Sequence, residues 1–116
     1  MVISLYTVYM ITNRGLLLSF TVYLTVLRSR ITNIIVRAMW VNSDTALLQE
    51  WACRAIWTLS VDQTNKDLVV EAGGINAIVN AMMAHTDVAA VQEKACGCLA
   101  NLAANVDDNK MKIAEA

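Results

Sequence analysis

A chain of 116 residues is long enough for one domain with a modest core. Its content, 57% hydrophobic and 16% charged, is apolar for a soluble protein, and a net charge of −1 leaves no basic footprint for nucleic acid. Three cysteines in such a chain do not make a disulfide framework.

Charge divides the chain in two. Residues 1–43 contain no Asp or Glu, and their only charges are Arg14, Arg28, Arg30 and Arg37. All ten acids lie between Asp44 and Glu115, together with the five remaining bases.

The first thirty residues, MVISLYTVYMITNRGLLLSFTVYLTVLRSR, match nothing downstream. Arg14 cuts them into apolar runs shorter than the roughly 20 residues a membrane span needs. They lack the basic start and small-residue cleavage site of a secretory signal. Several readings stay open: a pair of apolar capping helices, a β-branched hairpin around Asn13-Arg14-Gly15, a membrane anchor, or a non-native extension ahead of the rest.

From residue 31 the text is written twice. Residues 31–59 laid over 74–102 give twelve identical pairs in twenty-nine, among them Asn33/Asn76, Ile35/Ile78, Met39/Met82, Gln49/Gln92, Glu50/Glu93 and Cys53/Cys96. With one residue inserted the match resumes, Asn65-Lys66 over Asn109-Lys110 and Glu71-Ala72 over Glu115-Ala116. Each unit reads as three helices. Residues 32–60 hold the second and third helices of a partial unit, the third covering 44–60 with Leu48, Ala52, Ala55, Ile56 and Leu59 as its apolar stripe.

The complete unit, 62–104, begins with a helix over about residues 65–72, for which Asp62 or Asn65 supplies an acceptor at the start. Gly73-Gly74 ends it, because glycine tolerates a left-handed turn. A second helix over about 75–84 sets Ile75, Ile78, Val79 and Met82 on one face. The third, over 87–104, starts after Thr86 as N-cap with Asp87 in its first turn, where the helix dipole favours an acid. Val91, Ala95, Cys98, Leu99 and Leu102 make its stripe. Residues 105–116 open another unit and stop inside it.

Cys96 and Cys98, spaced Cys-x-Cys, invite a metal reading. A zinc site needs about four ligands, and neither Cys53 nor His85 stands at a ligand spacing from them. Cys96 matches Cys53 and Cys98 matches Ala55, so small residues for close helix packing explain the pair better. No nucleotide-binding glycine loop, calcium loop or nucleophile–base pairing is present. His85 matches Asn42 and is expected to be a solvated loop residue. The expectation is no catalytic residue, no metal, no cofactor and no enzyme.

"NKDLVVEAGGINAIVNAM" followed by "DVAAVQEKACGCLANLA" resembles an armadillo repeat, and the resemblance covers about residues 32–116. It implies an all-α, right-handed superhelical solenoid of three-helix units, with residues 1–30 apart from the array. The function it implies is a scaffold for protein–protein interaction, its concave face holding an extended peptide or partner segment, in the cytoplasm. In the nuclear-import adaptors of that family a Trp and an Asn recur on the third helix. The Asn position falls on Asn101 and Thr58, the Trp position on Gly97 and Arg54, so one of four is retained. With Trp57 and Ala100, which also match across units and lie off the stripe, these make the expected partner-binding set. Arg54 in place of an aromatic would favour acidic or carbonyl-rich partners. The alternative is a membrane-tethered scaffold held through residues 1–30.

Overall fold

The computed structural model describes residues 14–104 and 107–116, and among these every regular element is a helix. We number them α1 (Arg14–Val41), α2 (Ala46–Leu59), α3 (Gln63–Glu71), α4 (Gly74–Ala84), α5 (Ala89–Ala103) and α6 (Asp107–Glu115). α1 to α2 and α4 to α5 repeat one pattern, and α6 stands 44 residues after α3 at both ends.

α1 runs unbroken for 28 residues, straight through position 30. Arg14 and Gly15 open it, so a hairpin turning on them is replaced by helix; Asn13 and the residues before it lie outside the described residues. Its inward side carries Thr32, Val36 and Met39 at helical spacing, all buried.

α3 starts as expected. The Asp62 carboxylate accepts from the Asn65 backbone N–H at 3.2 Å, satisfying one of the free donors at a helix start. The two glycines that follow are needed for different reasons. Gly73 has φ +81°, a left-handed conformation that side chains disfavour. At Gly74 a Cβ would sit 2.5 Å from Val69 Cγ1, so only hydrogen fits where α4 turns across α3.

α2 and α5 depart from expectation at their starts. Neither Asp44 nor the Thr86-Asp87 pair opens a helix; α2 begins at Ala46 after Thr45, and α5 at Ala89 after Val88. Neither preceding residue offers a side-chain cap. Order at these junctions comes instead from glutamines that reach back to the end of the previous helix. Gln49 Nε2 donates to Met39 O and Asn42 O at 3.0 and 2.9 Å, and Gln92 Nε2 donates to Met82 O and His85 O at 2.9 Å each.

The core sits where α2, α4 and α5 converge on α1 and α3. Met39, Ile56, Ile78, Val69, Val91 and Leu102 are its largest fully buried apolar side chains, with Cys53, Ala81, Ala95 and Cys98 filling between them. The expected α5 stripe is buried except for Leu99, which is half covered. On α2 the stripe is turned by one residue. Gln49, Cys53, Ile56 and Ser60 are buried, whereas Leu48, Ala52, Ala55 and Leu59 are only half covered.

A third helix has two packing faces, and this explains the shift. The α5 set Val91, Ala95, Cys98 and Leu102 packs back against the preceding third helix, α2. The α2 set in the same register, Leu48, Ala52, Ala55 and Leu59, has no preceding third helix among the described residues. α2 therefore buries its forward face, whose α5 counterparts Gln92, Cys96, Leu99 and Ala103 are uncovered to varying degrees.

His85 is the second departure. It is half-buried, and its Nε2 lies 2.7 Å from Ser43 O, the carbonyl of the loop that holds the same place one unit earlier. A carbonyl only accepts, so Nε2 carries the proton in this bond.

A candidate interaction face on two neighbouring helices

α2 and α5 make the most extensive helix–helix contact among the described elements. Small residues permit it: Cys53, Ala95 and Cys98 are all fully buried in the core, and the Cys98 thiol donates to the Cys53 carbonyl. Beside this seam lies the face on which the expected partner-binding residues fall.

Trp57 is its centre. The half-buried indole lies against the α5 backbone at Gly97, where a Cβ would stand 2.7 Å from three ring carbons. Glycine at 97 is the condition for a flat indole in this place. Asn101 Nδ2 donates to Trp57 O at 3.1 Å, a carbonyl in the last turn of α2 that has no intrahelical partner. Trp57, Gly97 and Asn101 thus form one contact. The amide that the family resemblance assigned to a partner's backbone donates here to the neighbouring helix. Its side-chain oxygen takes no protein donor among the described residues.

The other three expected residues lie at the rim. Arg54, Thr58 and Ala100 are exposed. Thr58 Oγ1 donates back to Arg54 O at 3.1 Å, a bond within one turn that fixes its rotamer. Arg54 enters no ion pair among the described residues.

Lys94 completes the face and was not among the expected residues. Its Nζ stands 5.8 Å from the Trp57 ring centroid, within cation–π range, and 3.5 Å from Glu93 Oε1. The signal was present in the spacing, since Lys94 lies one turn before Gly97 and matches Trp51 in the other copy. The face is therefore an aromatic plate with the Lys94 cation over its ring, and Arg54 is an exposed cation one turn before Trp57 on α2.

Nothing in this arrangement activates a nucleophile. Cys96 is exposed and Cys98 buried, so the Cys-x-Cys pair points two ways, and no three metal-ligating side chains come together among the described residues. The Cys98 thiol is pushed up, out of the range in which it would ionise, first by its hydrogen-bonded neighbour Cys53 and then by burial.

The family model of the Armadillo/beta-catenin-like repeat matches residues 62–104, the unit that self-comparison marks as complete. No curated protein and no solved structure gives a significant match to the chain.

Proposed function

We propose that this chain binds a partner segment across α2 and α5, because residues 62–104 match the armadillo repeat model, a type that serves in general as a protein-interaction scaffold. The neighbouring residues extend the array in this reading. Residues 32–60 supply the second and third helices of the preceding unit, and 105–116 supply the first helix of the following one. Stacked in that way, the third helices line the concave side of a right-handed superhelix.

The observation that carries the reading is the Trp57 plate on Gly97, with Lys94 over the ring and exposed Arg54 one turn earlier on the same helix. A half-buried indole offers apolar area at low entropic cost and is the side chain most often found to dominate binding energy. The two cations select carboxylates or carbonyl-rich backbone, and Arg54 can hold a carboxylate through two parallel hydrogen bonds. The partner is an extended protein segment with acidic side chains. The three free thiols suit a reducing compartment such as the cytoplasm.

The test is a pull-down with the longer natural array, comparing wild type with Arg54→Glu and Lys94→Glu. Both substitutions lie off the core, so loss of the same partners in both supports the reading. An unchanged partner set in both variants removes this face from consideration.

A further inference from the structure

α1 turns one side to the repeats and leaves the other uncovered. At about 100° per residue its buried positions Thr32, Val36 and Met39 fall within one arc. The opposite half of the circumference carries Tyr23, Val26, Leu27, Ile31, Ile34 and Val41, all exposed, with Ile34 at 67% and Val41 at 72%, and exposed Val22 and Trp40 lie at its edge. Single exposed apolar residues are ordinary, but a band that follows one helix for five turns marks an interaction surface. Arg30 and Arg37 lie within the same half and Arg28 on the side toward the repeats, all three exposed. None of them is in an ion pair among the described residues, and residues 1–43 contain no acid to neutralise them.

We infer that this face of α1 docks on an anionic lipid bilayer, lying in the plane of the interface. The site differs from the Trp57 face and goes beyond the function proposed above. Among the described residues no single helix is long and apolar enough to cross a membrane, so the contact is superficial. Tyr23 near one end of the band and Trp40 at its edge near the other have an apolar ring with a polar tip and suit the headgroup level. Val26, Leu27 and Ile34 reach the acyl boundary beside them. Arg30 and Arg37 stand seven residues apart on one line of the helix, about 10 Å along its axis, so both guanidinium groups meet lipid phosphates together.

Charge and width exclude the other occupants. Pairing with α1 of a second copy would set arginines against arginines with no acid on either helix. A single partner helix would need a narrow seam of apolar positions, whereas this band spans half the circumference and suits a flat surface.

The experiment is co-sedimentation of the full chain with phosphatidylcholine vesicles, with and without phosphatidylserine. The protein is expected to pellet with the phosphatidylserine vesicles, less so as salt is raised, and only weakly with phosphatidylcholine alone. Arg30→Gln and Arg37→Gln should each lower the partition about fivefold, and Ile34→Asp should lower it on both vesicle types. The thermal unfolding curve should stay in place for all three, since none touches the core. Arg54→Glu should pellet like wild type, which separates this site from the peptide face. Equal binding to both vesicle types, or wild-type binding by the arginine variants, would overturn the inference. So would a dimer in light scattering that the arginine variants abolish while no vesicles are bound.

Discussion

Gln92 holds the end of α4 as Gln49, 43 residues earlier, holds the end of α1. Each side-chain amide donates to two carbonyls of the preceding helix terminus, seven and ten residues back. Asn42 O and His85 O also accept from the Thr45 and Val88 backbone N–H groups in the turn, and the glutamine adds the donor that the last-turn carbonyls Met39 O and Met82 O lack.

Replacing either glutamine by alanine leaves one carbonyl, Met39 O or Met82 O, without its donor, because Asn42 O and His85 O also accept from the Thr45 and Val88 backbone N–H groups. Gln49 is fully buried, where water cannot substitute, and Gln92 is half covered. Gln49→Ala is expected to cost about 2–3 kcal/mol and Gln92→Ala about 1–2 kcal/mol. Urea unfolding midpoints would check the order, and a smaller loss at Gln49 would contradict it.

His85 ties two units together through Ser43 O at 2.7 Å. A side chain so placed does not behave as a solvated loop residue. His85→Ala should lower stability by about 1 kcal/mol, the net value of one hydrogen bond. An unshifted melting temperature would return the residue to the role read from sequence.

The all-helical fold was legible because local signals agreed with the long-range one. Asp62 three residues before the Asn65 amide, Gly73-Gly74, and the 43-residue match each point to the same three-helix unit. What was not legible depends on neighbours. A repeated sequence gives α2 and α5 the same two apolar faces, and only the presence or absence of an adjoining helix decides which is covered. α1 is a related case. Thr21, Val22, Thr25, Val26 and Ile31 are β-branched and weak helix formers, so the local pattern left helices and a hairpin both open, and the structure shows one continuous helix from Arg14 to Val41. At the interaction face the resemblance led to Gly97 and Asn101. The reason Gly97 is glycine, the Trp57 ring above it, came from the other copy and could not be read from either alone.

The two-faced packing of the third helix separates two leucines that the sequence treats alike. Leu102 is fully buried against α2, and Leu99 sits on the open forward face. Leu102→Ala should cost about 2–4 kcal/mol, as for an emptied core site, and Leu99→Ala distinctly less. Equal losses in chemical denaturation would mean that the forward face is covered.

Gly97→Val tests the Trp57 contact. A side chain here meets the indole carbons at 2.7 Å, so the ring must leave its place or the helices must part. The expected cost is about 1–3 kcal/mol. Shortening residue 57 in the same chain, as Gly97→Val with Trp57→Leu, should recover part of it. A double variant no more stable than Gly97→Val alone would show that the two residues are not coupled.

The last prediction concerns pH. The Cys98 thiol is held protonated in the folded chain by its neighbour Cys53 and by burial, so its folded value lies above that of an unfolded thiol, about 8.5. For a group raised in this way the stabilisation is complete below the unfolded value. It is lost as pH rises above it, because only the unfolded chain then releases the proton. The same bond lowers the Cys53 thiol, and the Cys98 contribution to folding free energy should fall as pH rises above the ordinary thiol range. Cys98→Ala removes the effect and should fit, since Ala55 stands in the same place in the other copy. Wild type and Cys98→Ala compared by urea unfolding between pH 7 and 10 should diverge in slope only at the alkaline end. Native alkylation gives a second reading. Exposed Cys96 should react at once, and Cys53 and Cys98 only as fast as the chain unfolds. Parallel pH profiles for the two proteins, or rapid labelling of all three thiols, would show that the α2–α5 seam is open to solvent.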